Sequence, residues 1–146
     1  MSNIRLFFSE NLSINFSSKL NKSQSHYLAK VMRLKIGEIF SLFNKNGEWL
    51  AKINDINNGL VYFTIQEQLR QKENTTEIWL AFSPIKSNYS NFMIQKATEL
   101  GVTRLIPIVF DRTIVRKINS ERLEKITIEA TEQSNRINPP LLEKSQ

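Results

Sequence analysis

The stretch from Phe92 to Arg112, FMIQKATELGVTRLIPIVFDR, predicts a helix that ends on a glycine and runs directly into a strand. Ser90 or Asn91 is the expected cap of this helix, because a short polar side chain can accept a hydrogen bond from a free backbone N–H of the first turn. Gly101 supplies the left-handed residue that ends the helix. The almost wholly apolar run from Val102 to Phe110 is typical of a strand buried on both faces. A helix, a glycine and a buried strand form half of a βαβ unit, and such units carry their chemistry at strand ends.

The elements around this stretch extend the pattern to strand, helix, strand, helix. Ile78 to Phe82 is expected to be a strand, and Ser120 with Glu121 begins a further helix. Asn138-Pro139-Pro140 is expected to end that helix, because the residue before a proline is pushed out of the helical region. Another strand is expected to begin at Leu141. One face of the helix before Gly101 is expected to carry Met93, Ala97 and Leu100.

An early helix is predicted from Asn21 to Met32. Ser23 is its expected cap, because serine is a favoured residue at that position. Its apolar stripe consists of Tyr27, Leu28, Val31 and Met32.

Strands dominate the rest of the first half. Leu6 to Phe8 is a short apolar strand, and a hairpin is predicted with strands at Ile39–Phe43 and Trp49–Ile56. A second tight turn leads into an alternating strand from Leu60 to Ile65. Several short strands at regular spacing predict a small barrel. The polar stretch from Gln66 to Glu77 is typical of a linker between two domains.

Composition excludes several classes of protein and site. The chain has 146 residues, 40% hydrophobic content, no cysteine and a formal net charge of +6. We therefore expect a globular cytoplasmic protein with no disulfide, no thiolate metal site and no membrane span. The single histidine, His26, cannot form a histidine-based metal site alone, so no metal is expected. The positive charge favours a polyanionic partner such as nucleic acid.

Four blocks of the sequence resemble one known family. They are RLFF from Arg5, HYLAKVMRLKIGE from His26, the QKATELGV stretch with its strand and DR, and EATEQSNR from Glu129. In this order and at this spacing they resemble the RsmE family of ribosomal RNA methyltransferases, part of the SPOUT superfamily. Members methylate N3 of a uridine in 16S ribosomal RNA with S-adenosylmethionine.

The resemblance implies an α+β protein with two domains. Residues 1–70 would form a PUA-like β-barrel that binds RNA, 71–77 a linker, and 78–146 the first part of an α/β SPOUT methyltransferase domain. The family's trefoil-knot half, which holds the cofactor, would be missing, so no cofactor-binding residue is expected within this chain. The expected partner is 16S ribosomal RNA or the small ribosomal subunit. Full-length relatives are expected to be homodimers, whereas this chain alone is not expected to form that dimer.

The resemblance also implies site residues. The basic residues expected to bind RNA are Arg5, Arg33, Lys35, Lys86, Arg112 and Arg136. Guanidinium groups can grip phosphates and stack on splayed bases, so their chemistry fits this role. Residues expected to line the cleft or to support it are Lys96, Glu99 and Gln133, and Arg112 and Arg136 are expected near the same cleft. A scattered, solvated surface is the alternative interpretation of the same charges.

Two functions stay open from the sequence. In the first, the chain supplies RNA docking and part of the catalytic domain of a methyltransferase, whose catalytic residue the sequence does not identify. In the second, it is a truncated, non-catalytic RNA-binding relative without a cofactor site. The feature that discriminates them is the family's glycine-rich cofactor half, which is expected to be missing from this chain.

Overall fold

A computed structural model describes residues 4–112 and 118–144. The chain divides into two compact units, an N-terminal unit (Met1–Glu73) and a C-terminal unit (Asn74–Gln146). Each unit has its own cluster of buried apolar side chains. Residues 72–78, between the last strand of one unit and the first strand of the other, are exposed and form neither helix nor strand.

The N-terminal unit is built on a five-stranded sheet. Its strands are β1 (Arg5–Phe7), β2 (Ser17–Lys19), β3 (Ile39–Asn44), β4 (Gly47–Asn57) and β5 (Leu60–Gln71), in the spatial order β1-β3-β4-β5-β2. β1 pairs in parallel with β3, and the other pairs are antiparallel. Helix α1 (Lys22–His26) continues into a π-helical turn (Tyr27–Val31), whose Leu28 is completely buried in the core. The core also contains edge-to-face ring pairs such as Phe40 with Phe63, which fix its packing.

The C-terminal unit is a three-stranded parallel sheet with two connecting helices. Its elements are β6 (Trp79–Phe82), α2 (Ser87–Glu99), β7 (Arg104–Pro107), α3 (Ser120–Gln133) and β8 (Leu141–Leu142). The strand order is β6-β7-β8, so each helix returns the chain from the carboxyl edge of the sheet to its amino edge. Ile94 of α2, Leu105 of β7 and Leu123 of α3 are buried in one cluster.

The predicted elements are found, but several of their ends differ. α1 is capped by Asn21, whose Oδ1 accepts a hydrogen bond from Gln24 N at 2.8 Å, so the predicted cap at Ser23 is wrong. α2 begins three residues before the predicted cap at Ser90, whose hydroxyl instead donates to the carbonyl of Ile85. α3 ends at Gln133, well before the prolines.

Burial corrects three further expectations. β7 is only four residues long and alternates between half-buried and buried positions, so it is not buried on both faces. Leu100 is highly exposed because it lies at the C-cap of α2 and not on its packed face. Val31 and Met32 are exposed as well, although the predicted stripe placed them in the core.

One strand of the N-terminal unit was not predicted, and another is longer than predicted. β2 was not predicted, because its sequence SSK has no apolar alternation. β5 continues through Gln71, six residues beyond its predicted end, while paired with β4. The polar stretch assigned to a linker therefore begins as strand.

Within residues 4–112 and 118–144, no helix is long and apolar enough to cross a bilayer. The same residues contain no group of three or more histidine, aspartate or glutamate side chains that could hold a metal ion.

Candidate functional site

Two exposed cations lie at the carboxyl edge of the parallel sheet. Lys86 follows β6 and immediately precedes α2, while Arg112 follows β7. Because β6 and β7 run in parallel, their carboxyl ends meet at the same edge, and so do the loops that carry these side chains. The N-terminus of α2 opens at this edge too, and its free backbone N–H groups add partial positive charge. We call Lys86, Arg112 and the start of α2 the carboxyl-edge site.

A second polar cluster lies at the other end of α2. Lys96 Nζ donates a hydrogen bond to Glu99 Oε2 at 3.1 Å, and Gln95 Nε2 donates to Glu99 Oε1 at 3.2 Å. These two hydrogen bonds, that of Lys96 first, lower the pKa of Glu99 below its ordinary value of 4.5. Lys96 also lies over the ring of Phe92, at 5.6 Å from its centroid. This arrangement is an exposed i, i+3 ion pair that supports the helix.

Arg136 closes the C-terminus of α2. Its Nη1 donates to the carbonyl oxygen of Thr98 at 2.7 Å and to that of Val102 at 2.9 Å. Burial lowers the pKa of the guanidinium below its usual range. Thr98 lies in the last turn of α2, where carbonyls lack the regular helical partner, and its carbonyl accepts from Gly101 N–H at 3.2 Å as well as from Arg136. Gln133, the last residue of α3, is exposed.

The site residues of the C-terminal unit thus fall into two groups. α2 has thirteen residues, so its ends are roughly 20 Å apart. Lys86 and Arg112 are at the carboxyl edge of the sheet, whereas Lys96, Glu99 and Arg136 are at the end of α2 that faces the amino edge. The resemblance implied one cleft for Arg112 and the latter group, and the structure does not bring them together. The structural role fits Lys96 and Glu99, and RNA contact at Arg136 stays a prediction.

Arg5 of the N-terminal unit is engaged inside its sheet. Its Nε and Nη2 donate to Glu48 Oε1 at 3.0 and 2.8 Å, and its guanidinium lies 4.6 Å from the ring centroid of Phe43. Glu48 is 7% exposed and also contacts Arg70 at 3.5 Å. The sequence did not identify Glu48, since its partner Arg5 lies 43 residues earlier and no local pattern links them. Arg5 therefore stabilises the sheet, and its predicted RNA contact has no support from this geometry.

Arg33 and Lys35, in contrast, are exposed on the loop that leaves the π-helical turn. Arg33 has a φ of 58°, in the left-handed region. The next residue, Leu34, donates its N–H to the carbonyl of Leu28 at 2.9 Å, and Lys35 donates its N–H to Glu38 Oε2 at 2.6 Å. Both cations are thus held on a hydrogen-bonded backbone and face solvent.

Comparison with known proteins agrees with this division of the chain. The family model described as an RNA methyltransferase PUA domain matches residues 20–66, and that described as an RNA methyltransferase domain matches residues 72–146. Ribosomal RNA small subunit methyltransferase E of Rickettsia conorii is 38% identical over 143 residues, covering 97% of this chain and 59% of that protein. The protein of the same name from Buchnera aphidicola is 33% identical over 140 residues, covering 90% of this chain and 55% of its own length.

A solved structure gives the same result. Ribosomal RNA small subunit methyltransferase E from Neisseria gonorrhoeae, determined with bound S-adenosyl methionine, superposes with a TM-score of 0.86 at 25% identity. The match covers 98% of this chain and 61% of that protein. This chain thus spans about three fifths of the length of these relatives. The methyltransferase-domain model matches half of the chain, which corresponds to the C-terminal unit. The PUA-domain model matches most of the N-terminal unit. The two models therefore follow the order of the two units along the chain. This chain therefore belongs to the RsmE family of RNA methyltransferases.

Proposed function

We propose that this chain is part of an S-adenosylmethionine-dependent methyltransferase that modifies N3 of a uridine in 16S ribosomal RNA in the cytoplasm. The N-terminal unit, as a PUA-like barrel, docks the RNA, and the C-terminal unit contributes to the methyltransferase domain, with residues 71–77 as the linker. The observation that carries the proposal is the carboxyl-edge site, in a chain whose relatives are ribosomal RNA methyltransferases.

The chemistry of the reaction suits two exposed cations. N3 of uridine must lose its proton before or during attack on a methyl group, so negative charge develops on the base. Preorganised positive charge stabilises that state, and in this proposal Lys86 and Arg112 supply it or hold the neighbouring phosphates. The target base must also leave its stack, which requires single-stranded RNA or base flipping.

The described residues of the C-terminal unit do not fit a glycine-rich cradle for the cofactor. The sequence of this unit has one glycine, Gly101, which ends α2 at the amino edge of the sheet. A Cβ built at Gly101 would meet no atom within 4 Å, and the φ of 101° by itself accounts for a glycine at this position. A second candidate function is RNA binding without catalysis, which the exposed Arg33 and Lys35 of the N-terminal unit would serve by themselves.

Binding of the chain to 16S ribosomal RNA, measured by filter binding at several salt concentrations, tests the role of the carboxyl-edge site. Reversing both cations of the carboxyl-edge site, Lys86→Glu with Arg112→Glu, should weaken binding by about tenfold or more, since two phosphate contacts become repulsive. The control variant pairs Lys19→Glu with Lys52→Glu, two exposed lysines of the N-terminal unit outside the family motifs. Equal losses in both variants would mean diffuse attraction and would contradict the site.

Methyl transfer separates the two candidate functions. The chain is incubated with methyl-labelled S-adenosylmethionine and 16S ribosomal RNA, and modified N3 positions are mapped as stops in reverse transcription. Label at a uridine N3 supports the enzyme. Label in the RNA contradicts the non-catalytic function, whereas absence of both RNA binding and label contradicts both functions.

A further inference from the structure

The end of the π-helical turn and the loop that follows it combine exposed apolar and basic side chains. We call residues 30–36 the knuckle loop. Val31, Met32 and Ile36 are 57%, 43% and 59% exposed. Three exposed cations lie between and beside them along the chain, namely Lys30, Arg33 and Lys35. Single apolar side chains are common on protein surfaces. Three of them within six residues concentrate apolar surface, which is typical of a binding site.

The backbone of the knuckle loop is fixed at both ends. On one side, the N–H groups of Met32 and Leu34 donate to the carbonyls of Tyr27 and Leu28, each at 2.9 Å. On the other, Gly37 donates to the carbonyl of Ile53 at 2.8 Å. Leu34, in the middle, packs against the core of the N-terminal unit. The exposed side chains are therefore displayed on a rigid scaffold, which lowers the entropy lost when a partner binds.

Arg33 adds an independent sign of function. Among the residues that the structure describes, the other non-glycine residues with positive φ are Asn15 and Asn58, and asparagine tolerates this conformation. An arginine is strained there, and a glycine would serve the backbone better. Strained residues and π-helical turns both concentrate at functional sites, and here they adjoin.

We propose that the knuckle loop binds unpaired RNA, with its apolar side chains against exposed bases and its cations on the adjoining phosphates. This inference rests on the proposed function, in which the N-terminal unit docks RNA. Unpaired RNA fits better than a duplex, because an A-form duplex hides its base faces and presents phosphates and ribose. Val31, Met32 and Ile36 would gain little from that polar surface, whereas splayed bases offer them apolar faces. The cations of the knuckle loop and the net charge of +6 match a polyanion.

The apolar contribution is tested with a fluorescein-labelled, 12-nucleotide single-stranded oligoribonucleotide and with the same strand in a duplex. Fluorescence anisotropy measures binding by the 146-residue chain. Met32→Ser with Ile36→Ser should weaken binding of the single strand by at least about fivefold and leave the salt dependence unchanged, because contact area is lost and charge is kept. The matched control, Ile14→Ser with Leu69→Ser, removes two exposed apolar side chains elsewhere in the same unit and should change binding by less than about twofold.

The charge contribution is tested with Arg33→Asn, which keeps a residue that accepts the left-handed conformation. It should weaken binding and reduce the slope of log affinity against log salt by about 0.7, the value for one contact to a single-stranded phosphate. Thermal unfolding of each variant verifies that the fold is retained.

Three outcomes would overturn the inference. The first is equal affinity of the parent chain for single strand and duplex, and the second is unchanged RNA binding by the Met32→Ser, Ile36→Ser variant. The third is loss of binding to phosphatidylserine vesicles, and not to RNA, in that variant, which would assign the knuckle loop to a membrane surface. A parent chain that binds 16S ribosomal RNA while the loop variants bind it equally well contradicts only this inference. A parent chain that binds no RNA contradicts the proposed function as well.

Discussion

The guanidinium of Arg136 holds together two segments that are distant in sequence. Its two acceptors, the carbonyls of Thr98 and Val102, lie 38 and 34 residues earlier and flank the glycine that ends α2. Hydrogen bonds from a charged donor contribute about 1.5–3 kcal/mol each to stability, and they are stronger where water is excluded. Arg136 therefore fixes the end of α2 to the segment that follows α3.

Arg136→Lys is expected to lower the free energy of unfolding of the C-terminal unit by about 1–2 kcal/mol. Lysine keeps the charge but loses the planar fork of donors, so it cannot reproduce both contacts. Urea denaturation followed by tryptophan fluorescence in a Trp49→Phe background measures the change, since Trp79 of the C-terminal unit is then the one tryptophan of the sequence. The control is Arg112→Lys, an exposed site where a change within about 0.5 kcal/mol is expected. If both variants have the stability of the parent chain, Arg136 does not cap the helix.

Residue type alone could not distinguish these roles. Arg5, Arg33 and Arg136 all lie in blocks that resemble the family, and all three received the same predicted role in RNA binding. Only the long-range contacts separate them, because Arg5 is paired with Glu48 across the sheet while Arg33 faces solvent. The carboxyl-edge site was more accessible to prediction, since any residue just after a strand of a βαβ unit is expected at that edge.

The β3–β4 hairpin depends on Gly47 at the start of β4. Gly47 has a φ of 149°, and a Cβ at this position would lie 2.3 Å from the carbonyl oxygen of Arg70 on β5. Gly47→Ala is therefore expected to destabilise the N-terminal unit by about 2 kcal/mol or more, because the β4–β5 pairing must shift to remove the clash. Equilibrium denaturation measures the effect.

The matched control for this prediction is Gly59→Ala in the β4–β5 turn. Gly59 also has a positive φ, 75°, but no atom lies within 4 Å of a built Cβ. Its expected cost is only that of the left-handed conformation, about 1 kcal/mol. If Gly59→Ala lowered the free energy of unfolding more than Gly47→Ala, the left-handed backbone conformation, and not the close approach of Arg70, would determine the cost of these substitutions.

The extents of elements were less predictable than their existence. Strands β3, β4 and β5 form an antiparallel meander. Both of its turns were predicted from the sequence, because tight turns require residues such as Asn and Gly. The continuation of β5 to Gln71 was missed because residues 67–69 are exposed, so no alternation of apolar side chains marks the strand. Its pairing is provided by β4, which no local pattern can reveal.

At the scale of the whole molecule, the two units hold separate cores. The core of the N-terminal unit consists of residues between Ile4 and Ile65, and that of the C-terminal unit of residues between Leu80 and Leu142. A domain with its own core can fold alone, and exposed connecting segments are preferred sites of proteolysis. The segment 72–78 is such a connection.

Limited digestion with trypsin is expected to cut first after Lys72 and to release an N-terminal fragment that stays folded. The fragment should give a dispersed amide NMR spectrum with slow hydrogen exchange across residues 38–65, where β3, β4 and β5 pair. First cleavage within β3 to β5, or a collapsed spectrum of the released fragment, would show that the N-terminal unit depends on the rest of the chain.

The parallel pairing of β1 with β3, and the pairing of β2 with β5, have a consequence for synthesis on the ribosome. The first two strands leave the ribosome before the strands that complete them. Ile4 forms its hydrogen bond with Ser41, which is synthesised 37 residues later. Ser17 forms its hydrogen bond with Thr64, which is synthesised 47 residues later. At about 5–20 residues per second, the second delay lasts roughly 2–9 s. For that time the apolar side chains of residues 4–20 have no sheet to join, so the nascent chain is a candidate for chaperone binding until the meander has emerged.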